Sequence, residues 1–90
     1  MNDELSQARL QRRMDPKFIV PRLAAYNRLH GTVGGTVGLT ADHLGELLGY
    51  KSYEDLAFNQ TEDDNRVLEA LAGPHGYTIY KMLLIKRGMA

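Results

Sequence analysis

Between Leu39 and Pro74 the chain is cut into short lengths by its own punctuation. Thr40, Ser52 and Thr61 each precede an apolar run and are followed within three residues by an acid, Asp42, Asp55 and Asp64, while Gly49 and the Gly73-Pro74 pair close runs. A hydroxyl at such a position accepts from the unpaired amides of a first helical turn, an acid there faces the positive end of the helix dipole, and glycine ends the helix. Leu44, Leu47 and Leu48 then share one face, with Leu39 and Leu44 spaced as a hydrophobic staple. Leu56 and Ala57 point inward in the next helix, which ends near Asn59 or Gln60, and Val67, Leu68, Leu71 and Ala72 form the buried face of the third. Segments of this length and period make the chain all-α, a small bundle of about five short helices.

The flanks are less sharply marked. From Asp3 to Met14 acids precede bases, and Leu5, Leu10 and Met14 make a thin apolar stripe; in a helix Arg9, Arg12 and Arg13 share one face. Pro21 suits the first position of a following helix, with Leu23, Tyr26, Leu29 and His30 as its stripe and Gly31 as its stop. The preceding Lys17 to Val20 reads as an extended lead-in or a small strand. Residues 31–38, GTVGGTVG, are a tandem of four residues whose glycines predict a loop, hinge or short hairpin. A phosphate-binding loop would need a lysine and a hydroxyl after the last glycine, where Leu39 stands. Residues 77–87 alternate as a strand would, but Ile79, Met82, Leu83 and Lys86 fit a helix with basic residues in its last turn, and we read a helix with "MLLI" as core. A strand there would make a winged helix, the alternative fold. The domain division is 1–16, a basic arm or helix, and 17–90, one helical domain.

Composition removes several classes of chemistry. None of the 90 residues is cysteine, which excludes disulfide frameworks and thiol nucleophiles. His30, His43 and His75 have no spacing that supplies three or four converging ligands, so no metal is expected. No nucleophile motif or isolated carboxylate pair is present, and the expectation is a protein that is not an enzyme and takes no cofactor. No apolar segment approaches the roughly 20 residues of a membrane span, and the N-terminus lacks the apolar stretch of a secretion signal, so a cytoplasmic location is expected.

The net charge is zero but unevenly spread. Residues 1–30 hold six bases against three acids, residues 31–75 two against eight, and residues 76–90 add three bases. A phosphate backbone would be drawn to the ends and repelled by the middle.

The stretch LTADHLGELLGYKSYEDLAFNQ, residues 39–60, resembles the helix-turn-helix of small bacterial, phage and plasmid regulators, through its threonine cap, leucine pair, glycine at the first helix end and prompt second helix. Gly45 stands where that family usually has alanine. The resemblance implies double-stranded DNA as partner and transcription regulation as function. By position Lys51, Ser52 and Tyr53 would meet phosphates, and Glu54, Phe58, Asn59 and Gln60 would face bases, the two amides suiting adenine. Tyr50 and Tyr53 flank the turn where such proteins meet the backbone, and Arg9, Arg12 and Arg13 would add an arm. A second reading starts from the acids that open the later helices. Glu54, Asp55, Glu62, Asp63 and Asp64 would engage a basic surface on a protein partner, as a phage-type inhibitor or adaptor does. Small size and the apolar C-terminal segment predict a homodimer in either case.

Overall fold

The computed structural model describes residues 2–34 and 38–90. Among them are six α-helices and no strand: α1 (Asn2–Met14), α2 (Pro16–Leu29), α3 (Ala41–Leu47), α4 (Tyr53–Asn59), α5 (Glu62–Ala72) and α6 (Gly76–Lys86). No described helix is long and apolar enough to cross a membrane. The most extensive packing is between α2 and α5, and α3 and α4 form a corner bordered by α1 and α6.

The caps act as their chemistry requires. Thr40 Oγ1 accepts from His43 N at 3.1 Å, Ser52 Oγ from Asp55 N at 3.1 Å, and Thr61 forms a full capping box with Asp64, its own amide reaching Asp64 Oδ2 at 2.9 Å. Leu39, Leu44, Leu47, Leu48, Leu56, Leu68 and Leu71 are all buried in one core with Ala25, Leu29 and Tyr80.

Three expectations are corrected. Helix α2 begins at Pro16, with Asp15 accepting from Lys17 N at 2.9 Å, so residues 17–20 are helical and Pro21 lies inside the helix. Pro16 already occupies the position where a missing donor is harmless; Pro21 leaves the Lys17 carbonyl without its helical donor, a cost offset by the burial of Phe18. The buried stripe of α2 is Phe18, Arg22, Ala25 and Leu29, and Leu23 is 43% exposed. In this longer helix Phe18 joins the buried face, and Leu23 lies off it.

Gly31 is the second correction. It does not stop the helix, because α2 runs on into a π-helical turn, His30–Gly34, with Val33 buried. The rest of the glycine tandem, residues 35–37, lies outside the described residues.

The third concerns the C-terminus. Residues 76–86 are helical, which removes the winged-helix alternative, but the buried face follows Gly76 and Tyr80, with Leu83 and Leu84 half-buried. Met82 and Ile85 are 64% and 71% exposed, so only half of "MLLI" is core. The helix is oriented by Tyr80, whose hydroxyl lies 3.0 Å from His43 Nε2 on α3, and by Gly76, where a Cβ would stand 3.0 Å from the Leu71 carbonyl carbon.

Candidate nucleic-acid interface

The α3–turn–α4 corner is closed by glycine. At Gly45 an added Cβ would overlap the Ser52 carbonyl oxygen and lie 2.5 Å from its carbon and 2.8 Å from Tyr53 N, so the two helices cross at a distance only glycine permits. Gly49 has φ +91° and completes a Schellman motif, with Gly49 N donating to Glu46 O at 2.9 Å and Tyr50 N to Gly45 O at 3.0 Å. Asp42 on α3 accepts from Tyr53 N, the first amide of α4, at 3.0 Å.

Tyr50 holds the turn to α5. Its hydroxyl donates to Asp64 Oδ2 and lies 3.3 Å from Asn59 O, and burial together with the Asp64 carboxylate holds its pKa well above the ordinary tyrosine range. Tyr50 is therefore an internal strut. Because the folded state keeps this proton more tightly than the unfolded chain, the stabilisation is whole below about pH 10 and is lost as pH rises beyond it. Tyr50→Phe is expected to cost about 1 kcal/mol at neutral pH and to flatten the alkaline decline, read as urea midpoints at neutral and alkaline pH.

Both helices of the corner end on an arginine from a basic end of the chain. Arg87 Nε donates to Leu47 O at 3.3 Å, at the end of α3, and Arg12 Nη1 donates to Gln60 O at 3.3 Å, at the end of α4. Cations at helix C-termini are favoured by the unpaired carbonyls and the dipole. Arg9 also crosses α4, its guanidinium 5.9 Å from the centre of the Phe58 ring, and Arg12 lies 5.8 Å from that of Phe18. Helix α1 thus packs against α4 through arginines, leaving Leu5, Leu10 and Met14 exposed.

The residues assigned by sequence divide into two groups. Lys51, Ser52, Glu54, Asp55, Phe58 and Asn59 line one shallow groove on the outside of α4. Gln60 has no exposed surface, so the expectation that it faces bases is corrected; it terminates α4 from within. Tyr53 is half-buried and engaged by Arg22, whose Nε donates to its hydroxyl at 2.9 Å. Asn59 Nδ2 donates to Asp55 Oδ1 at 2.8 Å and to Asp55 O at 3.1 Å, which holds its amide along the helix. Arg9 and Arg12 are exposed and Arg13 is half-buried. Sequence reasoning missed Arg22, because a cation four residues after Phe18 was not expected to occupy a core-facing position.

Asp55 and Asp64 have internal duties, and Glu62 and Asp63 form exposed ion pairs. Asp55 also accepts from Lys51 N at 3.1 Å, Asp64 serves Thr61 and Tyr50, Glu62 pairs with Lys17 at 2.7 Å and Asp63 with Arg66 at 3.0 Å. The histidines are dispersed: His30 stacks on Tyr26 with ring centres 5.4 Å apart, His43 meets Tyr80, and His75 precedes α6. Comparison with protein-family models, curated proteins and solved structures finds no match to this chain.

Proposed function

We propose that this chain is a small DNA-binding regulator of helix-turn-helix type, in which α3 braces the corner, α4 faces the major groove and the α1 arginines lie on the phosphate backbone. One observation carries this reading: Arg9 and Arg12 pack along α4, which brings the basic arm and the outer groove of α4 onto one side of the molecule. A duplex approaching α4 meets Lys51 and Ser52 at its start and the guanidinium groups at its end, and this cationic frame offsets the carboxylates of Glu54 and Asp55. Asn59 is the groove residue suited to adenine, and it reaches a base by exchanging its bond to Asp55.

The protein-binding reading is less well supported, since Asp55 and Asp64 have capping and strut roles that explain them without a partner, while Glu62 and Asp63 stay exposed in surface ion pairs. The exposed apolar stripe of Tyr77, Met82 and Ile85 on α6 is where the regulator reading has two copies meet. Light scattering that returns the mass of one chain at high concentration would remove that part.

The footprint is tested by amide NMR during titration with a random DNA duplex. Shifts are expected on α1 and on residues 51–59. Shifts confined to α5, or none, would contradict the assignment.

A further inference from the structure

Arg22 is 6% exposed and, among the described residues, carries a charge that no carboxylate neutralises: the ion pairs there are Lys17–Glu62 and Arg66–Asp63. Its Nε donates to the Tyr53 hydroxyl, its guanidinium carbon lies 5.1 Å from the centre of the Tyr53 ring, and its buried Nη1 has no hydrogen-bond partner among the described residues. A buried guanidinium ordinarily pairs with an anion, because desolvating the charge is costly and each N–H left unmade adds to that cost. The Tyr53 oxygen accepts from Arg22, and its own proton has no hydrogen-bond acceptor among the described residues. Arg22 N–H and Tyr53 O–H are therefore adjacent donors beside an uncompensated positive charge. Asp42 Oδ1 accepts from the backbone N of Tyr53 and makes no ion pair with Arg22 among the described residues.

We propose that Arg22 and Tyr53 form an oxyanion site whose occupant is a phosphate group. The guanidinium supplies charge and N–H donors, the phenol supplies an O–H, and the phosphate oxygens accept from them. The site joins α2 to the first residue of α4, so filling it fixes the entry to α4. A backbone phosphate of DNA and a free phosphate ion present the same oxygens. The site stands on its own geometry; only its assignment to DNA rests on the regulator reading.

The test is the melting temperature of the full chain in sodium phosphate and in sodium chloride of equal ionic strength, for the wild type, Arg22→Met and Tyr53→Phe. Phosphate at saturating concentration is expected to raise the wild-type melting temperature by roughly 5 °C over chloride. Arg22→Met, which keeps the apolar stem, is expected to abolish that increment, and Tyr53→Phe, which keeps the ring, to reduce it. No phosphate-specific increment in the wild type, or an undiminished one in Tyr53→Phe, would overturn the proposal even if Arg22→Met failed to fold. A salt series with duplex DNA then identifies the source. A slope lower by about 1 in Arg22→Met assigns the site to a DNA phosphate, and an unchanged slope, or no DNA binding, with the phosphate increment intact assigns it to the free ion. Loss of DNA binding alone would thus reject the regulator and leave the oxyanion site standing.

Discussion

Gly45→Ala is expected to lower the melting temperature by roughly 10 °C, although alanine is the better helix former. The methyl group would land on the Ser52 carbonyl and near Tyr53 N, and these are backbone atoms that cannot move aside by changing rotamer. Overlap of this kind costs about 1–3 kcal/mol and sometimes more, against a propensity gain of about 1 kcal/mol, and here the contact is short enough that the overlap wins by about 2 kcal/mol. Gly31→Ala is the control. Nothing lies within 4 Å of a Cβ at Gly31, and its melting temperature is expected to stay within a few degrees of the wild type. A Gly45→Ala variant as stable as the wild type would mean that α3 and α4 cross farther apart than described.

Leu68→Ala is expected to cost about 2–5 kcal/mol, the range for a fully buried leucine whose removal leaves a cavity. Leu68 has no exposed surface and sits on α5, the helix most extensively packed against α2. A small domain has about 5–15 kcal/mol in all, so this variant falls close to the folding threshold. Met82→Ala on the exposed face of α6 is expected to change stability by less than about 0.5 kcal/mol. Urea titration of the two variants reads the contrast, and equal losses would contradict the described rotation of α6.

The helices between residues 40 and 72 were legible because caps and stops are local chemistry. Thr40, Ser52, Thr61, Gly49 and Gly73 determine those helix ends through bonds to residues two to four positions away, so no distant partner had to be known. Faces near the ends were less legible, since which side of an amphipathic helix is buried depends on what it meets. Leu23 looked like a core residue until Pro16 proved to start α2, and Met82 did until Tyr80 met His43. The candidate interface divides in the same way. The placement of Lys51, Ser52 and Asn59 on one groove follows from the turn and cap that open α4 and from the register of Asn59 on it, whereas burial of Gln60 and use of Tyr50 as a strut follow from α1 and α5 closing over the ends of the corner. Arg22 gave no sequence signal, because its meaning lies in having no ion-pair partner in space among the described residues.

The regulator reading is tested most directly by fluorescence anisotropy of a labelled random DNA duplex, titrated across a salt series with the wild type and with Arg9, Arg12 and Arg13 all replaced by alanine. Circular dichroism confirms that both proteins are folded. The wild type is expected to bind in the micromolar range at low salt and to weaken steeply as salt rises, and the triple variant to bind less tightly with a slope smaller by up to roughly 3, since each lost phosphate contact removes about 0.9. No binding by the wild type at low salt, or the same slope in both proteins, would contradict it.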